Sequence, residues 1–74
     1  MYVLEFFHLP SDGGDTYVRL GSERRRIQSA EVARKYALAA MENVLFNGMR
    51  ANLCHIKNRD GTLICEVRRS AVRH

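Results

Sequence analysis

The feature that most constrains this chain of 74 residues is a run of apolar side chains at helical spacing. From Ser29 onward, residues recur at intervals of three and four and fall on one side of a helix. This stripe consists of Ala33, Tyr36, Ala37, Ala40, Met41, Val44, Leu45 and Gly48. Ser29 is a favourable N-cap, Glu31 places an acid in the first turn, and Asn47-Gly48 indicates a C-terminal stop. We predict one amphipathic helix from Ser29 to Asn47, with its alanine-lined side lying on a sheet.

Four segments around this helix have the composition or alternation of strands. They cover residues 2–9, 16–20, 51–57 and 62–69, with a turn-forming loop at 10–14 and a polar connection at 21–26. The predicted fold is therefore α+β in the order ββαββ. We expect an antiparallel or mixed four-stranded sheet with the helix packed on one face. The chain length predicts a single domain, at 1–69, followed by a frayed tail at 70–74.

The turn at 58–61 predicts the register of the last two strands. Asn58-Arg59-Asp60-Gly61 is typical of a type I turn followed by a glycine bulge, which pairs Asn58 with Thr62. Counting outward pairs His55 with Cys65, Leu53 with Val67 and Ile56 with Ile64. This register places four side chains on the helix side, namely Leu53, Leu63, Cys65 and Val67. It places Cys54, Ile56 and Ile64 on the opposite face.

Composition excludes several classes of protein. No apolar run is long enough to span a membrane, and the first residues lack the basic start of a signal peptide, so we expect a cytoplasmic protein. The two cysteines, Cys54 and Cys65, are expected to be free thiols. Cys54 and His55 are neighbours on a strand and point apart, which disfavours a metal site. We expect no cofactor, no metal and no catalytic residues, and we interpret His8 as a structural or surface histidine.

The net charge is +4, and all 12 cations except Lys35 and Lys57 are arginine. Guanidinium groups suit phosphate recognition. Arg24, Arg25 and Arg26 near the helix entrance, together with Arg50, are therefore candidate contacts for an anion or a nucleic acid. The alternative is a solvated loop whose arginines pair with Glu23 and Glu31.

The apolar residues expected to remain outside the core predict a contact surface. On the sheet face away from the helix these are Val3, Phe7, Ile56 and Ile64, and off the helix stripe they are Leu38 and Phe46. We predict a non-catalytic protein-interaction module that binds itself as a homodimer, or binds another protein, through these residues. Nucleic-acid binding through the arginines is the alternative function.

Three segments resemble a family of short bacterial domains of unknown function. The strand Glu5-Phe6-Phe7-His8-Leu9 is similar to the family's opening Phe-Phe-His strand, and the helix and the Asp60-Gly61 hairpin follow in the family's order. This resemblance implies the fold and no activity.

A looser similarity, through 13–17 and 29–31, is to the HicB-type antitoxins. That similarity implies an RNA-binding-like fold that acts by binding a toxin partner.

Overall fold

The computed structural model describes residues 1–10 and 17–69. The predicted glycine-rich loop, in large part, and the predicted tail at 70–74 lie outside the described residues. The elements, in chain order, are β1 (Tyr2–His8), β2 (Val18–Arg25), α1 (Ala30–Asn43), β3 (Leu45–Phe46), β4 (Met49–Arg50), β5 (Leu53–Asn58) and β6 (Leu63–Arg68).

The protein has an α+β fold with one helix and a four-stranded antiparallel sheet in the order β2-β1-β5-β6. The two long hairpins meet where β1 pairs with β5, so the first and third predicted strands are central. The predicted order ββαββ is not matched, because the short strands β3 and β4 form a separate two-stranded sheet between α1 and β5.

The helix begins as predicted and ends earlier than predicted. Oγ of Ser29 accepts a hydrogen bond of 3.3 Å from the backbone N–H of Val32, and Ala33, Ala37, Ala40 and Met41 are buried. The last helical residue is Asn43 rather than Asn47. Asn47 and Gly48 have φ angles of 55° and 81° and join β3 to β4 as a two-residue turn. Asn-Gly is the favoured pair where both central residues need positive φ, so it forms a hairpin here instead of stopping the helix.

Strand β2 is longer than the predicted 16–20, because most of the predicted connection at 21–26 continues the ladder with β1. The side chains of residues 22–25 are polar, so this part of β2 lacks the apolar alternation by which a strand is predicted from sequence. Leu20 is an extra residue in β2, since Phe6 pairs with Gly21 and Phe7 pairs with Arg19. This β-bulge bends β2, and the strand pairs with β1 on both sides of it.

The predicted turn at 58–61 forms, but the predicted register fails beyond it. The backbone N–H of Asn58 donates to the carbonyl of Thr62 at 3.0 Å, and Gly61 has a φ angle of 93°. Ile64 is then an extra residue in β6, because Lys57 pairs with Leu63 whereas Ile56 pairs with Cys65.

This bulge shifts every later pair by one residue. Cys54 and Ile56 therefore face the helix with Cys65 and Val67, and Leu53 faces away. The predicted placement of Cys54 and Ile56 on the opposite face is wrong.

The core lies between α1 and one face of the sheet. Its largest side chains come from β1, β5 and α1, namely Phe6, Leu4, Met41, Ile56 and Cys54, each fully buried. Phe46 of β3 extends this core by stacking on Phe6, with ring centroids 5.0 Å apart. A Cβ atom on Gly21 would lie 3.3 Å from the Phe46 ring, so the glycine lets the short hairpin approach the sheet closely.

Candidate functional site

The sheet face opposite α1 carries several charged and aromatic side chains close together. No helix or strand among the described residues packs on it. We call it the open face, and the pairing pattern assigns to it Val3, Glu5, Phe7, Arg19, Ser22, Arg24, Leu53, His55, Lys57, Leu63, Glu66 and Arg68. This face keeps Val3 and Phe7 of the predicted apolar patch but not Ile56, and charged groups surround them.

Three rings form a cluster at one end of the open face. The centroid of Phe7 lies 5.0 Å from that of Tyr17, edge to face, and 4.9 Å from that of His55. Tyr17 and His55 are 6.4 Å apart. Phe7 is 9% exposed, whereas Tyr17 is 42% exposed, so Phe7 supports the cluster and Tyr17 presents its ring to solvent.

Glu5, at the centre of the open face, is shared by two cations. Its Oε2 lies 3.5 Å from Nη2 of Arg19, and its Oε1 lies 3.0 Å from Nζ of Lys57. The three residues belong to adjacent strands β2, β1 and β5, so the alternation of side chains brings them together across the sheet. One carboxylate thus orients two cations and leaves their surplus charge at the surface.

Glu66 repeats this arrangement on β6. Its Oε2 lies 3.0 Å from Nε2 of His55, and its Oε1 accepts from Nε of Arg68 at 3.2 Å. The hydrogen bond with His55, followed by that with Arg68, lowers the pKa of Glu66 below its usual value of 4.5. Glu66 therefore remains ionised in mildly acidic solution and continues to orient both partners.

The open face carries a surplus of positive charge. Its cations are Arg19, Arg24, Lys57 and Arg68, and its carboxylates are Glu5 and Glu66. Among the described residues, Arg24 has no carboxylate within ion-pair distance. The surface is therefore an attractive one for anions, with two internal carboxylates fixing the positions of the side chains.

The predicted arginine site is not assembled as one group. Arg24 faces the open face, but Arg25 faces the helix side, where its Nε lies 3.1 Å from Glu23 and its guanidinium carbon lies 5.1 Å from the Tyr36 ring centroid. This hydrogen bond with Glu23 raises the pKa of Arg25. Arg26 follows the strand in a separate cleft. Successive residues of a strand point to opposite faces, which is why the run divides.

Arg50 has a structural contact at the other end of the helix. Its guanidinium donates a hydrogen bond to the carbonyl oxygen of Glu42, in the last turn of α1. Nδ1 of His8 lies 3.2 Å from the carbonyl oxygen of Arg50, which connects β1 to β4. Arg50 thus neutralises the negative end of the helix, where the helix itself carries no basic residue.

The predicted interface residues are also separated. Ile56 is fully buried beneath α1, and Phe46 packs on Phe6 in the core, so neither presents a contact surface. Phe7 is largely covered within the ring cluster, and Val3 is half-buried on the open face. Leu38 and Ile64 are 36% and 42% exposed and remain at the surface.

Both cysteines are free, and both lie on the helix side of the sheet, which corrects their predicted placement on opposite faces. Burial raises the pKa of Cys54 to about 12, so its thiol stays protonated and unreactive at neutral pH. Within residues 1–10 and 17–69, no group of three or more His, Cys, Asp or Glu side chains is placed to hold a metal ion.

Sequence reasoning missed the residues that define the open face. Tyr17, Arg19, Lys57 and Glu66 are not among the predicted site residues. The correct register would have placed Glu5, Lys57 and Glu66 on one face of the sheet. The missing information was the bulge at Ile64, which decides the face of every residue after it.

In comparisons with known proteins, no family model, no curated protein and no solved structure matches this chain. The described part of the chain has one helix, of 14 residues, and no helix there has the length and apolar character that crossing a membrane requires.

Proposed function

We propose that the protein binds single-stranded nucleic acid on the open face of its sheet. The observation that carries this proposal is the coexistence of Tyr17, which is 42% exposed, with four cations on the open face. Sequence-tolerant binding of single strands commonly combines such rings, on which bases stack, with a basic surface that follows the phosphates.

The ring cluster supplies a stacking position. Tyr17 is held edge to face against Phe7, and its other surroundings leave 42% of the residue exposed. A ring fixed in this way loses little conformational freedom when a base stacks on it. His55 packs against Phe7 and holds Glu66 through Nε2, so it supports the cluster rather than offering a second stacking surface.

The cations supply the phosphate contacts. Arg19 and Lys57 flank Glu5, and Arg68 is held by Glu66, so these groups are positioned before a ligand arrives. Each guanidinium has five N–H donors and uses only part of them in its ion pair. The remaining donors, together with Arg24, which forms no ion pair within the described ranges, can contact a phosphate backbone that crosses the strands.

Fluorescence anisotropy with a labelled single-stranded RNA tests the proposal. We expect affinity to fall steeply between about 50 and 200 mM salt, because bound phosphates release counterions. The double variant Arg24→Ala/Arg68→Ala should bind more weakly and show a shallower salt dependence. Tyr17→Ala should lose about tenfold in affinity, as expected for one stacked base, whereas Tyr17→Phe should retain it.

A matched control separates this surface from general charge attraction. Arg34 and Lys35 lie exposed on α1, on the opposite side of the molecule, and Arg34→Ala/Lys35→Ala removes the same charge. If both double variants lose affinity equally, or if the unmodified protein does not bind at low salt, the proposal is wrong.

Homodimer formation through Leu38 and Ile64 is a second candidate, supported by the exposure of both side chains. Light scattering at high protein concentration should then show a dimer that Ile64→Glu dissociates. A monomer under these conditions would exclude it.

A further inference from the structure

A cleft opens at the end of the sheet where β1 begins. It encloses about 560 Å³ and is lined by Met1, Arg26, Ile27, Gln28 and Arg59. Tyr2 pairs with Arg25 on one side and with Asn58 on the other, so the segments that follow β2 and β5 form the two walls. The volume is in the range that small-molecule sites occupy.

The polar lining of the cleft is cationic. Arg26 and Arg59 contribute guanidiniums, Gln28 contributes an amide, and no carboxylate of residues 1–10 or 17–69 lines the cleft. Neither arginine forms an ion pair with a residue in the described ranges.

Two acids that are close to these arginines in the sequence, Asp60 and Glu23, have hydrogen-bond partners of their own. Oδ1 of Asp60 accepts from the backbone N–H of Thr62 at 2.9 Å, inside the turn, and Oε1 of Glu23 accepts from Tyr36 at 2.6 Å. Two guanidiniums without a local carboxylate favour a phosphate, whose oxygens can accept from both forks.

The cleft also has an apolar component and a connection to the open face. Met1 is 50% exposed and Ile27 is half-buried, so they offer carbon surface beside the two arginines. Arg24, which faces the open face, lies two residues before Arg26. A nucleic-acid strand that follows the open face past Arg24 would therefore arrive at this cleft.

We infer that the cleft binds the phosphate monoester of a nucleotide, specifically the terminal phosphate of the strand bound on the open face. The inference rests on the proposed function for the source of the phosphate, and a free mononucleotide offers the same chemistry. The guanidiniums of Arg26 and Arg59 bind the phosphate oxygens, and Met1 and Ile27 contact the adjoining sugar and base.

Binding of one oligonucleotide sequence, prepared with and without a terminal phosphate, tests this inference. The phosphorylated strand should bind about tenfold more tightly, because a dianion then meets two guanidiniums. Arg26→Ala/Arg59→Ala should abolish this preference while the hydroxyl-ended strand binds as before. Arg34→Ala/Lys35→Ala, with the same charge change, should keep it. Circular dichroism of each variant establishes that it is folded.

A second measurement distinguishes the possible failures. NMR spectra of the arginine side chains are recorded with inorganic phosphate and with adenosine monophosphate. Shifts of Arg26 and Arg59 with the mononucleotide, in a protein that binds no strand, would support the cleft as a nucleotide site and refute the function proposed for the open face. Equal affinity for the strands with and without a terminal phosphate, without shifts at Arg26 and Arg59, would overturn the inference about the cleft. The function proposed for the open face would not be affected by that result.

Discussion

The phenolic O–H of Tyr36 donates a hydrogen bond of 2.6 Å to Oε1 of Glu23, and this bond joins α1 to β2. The same carboxylate oxygen accepts from Nε of Arg25 at 3.1 Å. Strand β2 makes few other contacts with the helix, so this small network holds the helix in place over the sheet edge.

Replacing Tyr36 by phenylalanine removes this bond and keeps the ring. We expect Tyr36→Phe to lower the free energy of unfolding by about 1 kcal/mol, measured by urea denaturation near pH 7. Tyr2→Phe is the control, since no side-chain hydrogen bond of Tyr2 occurs in the described residues. A Tyr36→Phe variant as stable as the unmodified protein would contradict the role given to this contact.

The pKa of Tyr36 adds a dependence on pH. The hydrogen bond with Glu23, and then burial, raise its pKa above the usual 10.0. Because Tyr36 holds its proton more tightly in the folded protein, its protonation stabilises the folded state at every pH below the unfolded pKa of Tyr36. This contribution is lost as pH rises through the folded pKa. The difference in stability between the unmodified protein and Tyr36→Phe should therefore shrink above pH 10.

The bulge at Ile64 makes opposite predictions for two isoleucines. Ile56 is fully buried and Ile64 is 42% exposed. Ile56→Val should cost about 1 kcal/mol of stability, because it removes a buried methylene group. Ile64→Val should change stability by less than about 0.5 kcal/mol. Equal costs, measured by denaturant unfolding, would argue for the unbulged register instead.

Gly48 tests the short hairpin between α1 and β5. Its φ angle is 81°, and an added Cβ atom would meet nothing within 4 Å. The cost of Gly48→Ala is therefore conformational, about 1 kcal/mol. A chemically synthesised chain with D-alanine at this position should be at least as stable as the glycine protein, since D-residues favour positive φ. Destabilisation of similar size by both alanines would indicate a steric conflict that the structure does not contain.

Glu66 gives the open face a measurable response to acid. The pKa of Glu66 is lower in the folded protein than its usual value of 4.5. Ionised Glu66 therefore stabilises the folded state above the unfolded pKa, and this contribution is lost as pH falls through the folded pKa. Carboxyl NMR titration should find Glu66 ionised below pH 4.5. His55→Phe keeps a ring beside Phe7 and removes the hydrogen bond, so it should move the Glu66 pKa upward. No change in that variant would show that His55 does not orient Glu66.

The sequence predicted those parts of the fold that local chemistry decides. The helix start at Ser29, its alanine-lined buried side and the turn at Asn58–Gly61 are each fixed by neighbouring residues, and the structure contains all three. The two hairpins are local as well, but local patterns leave open whether they join into an antiparallel or a mixed sheet, because the pairing of β1 with β5 is long-range. The prediction that Asn47-Gly48 ends the helix is wrong, because the same pair is favourable both at a helix end and in a two-residue hairpin turn. The stacking of Phe46 on Phe6 favours the hairpin.

The candidate site could not be predicted because it depends on register. A single extra residue, Ile64, exchanges the faces of β6 relative to β5, and no local signal marks it. The polar strand segment at 22–25 is similarly invisible to hydrophobic patterning, since its place in the sheet comes from backbone pairing with β1. The face on which Arg24 lies can be assigned only when its pairing with β1 is known.

The two bulges have a consequence for the behaviour of the protein at high concentration. Leu20 and Ile64 both interrupt the outermost strands of the sheet, so neither border presents an unbroken row of amide and carbonyl groups. An incoming strand from another molecule would find its hydrogen-bonding partners out of step partway along. The irregularities that obscured the register thus also protect the sheet against growing into fibrils.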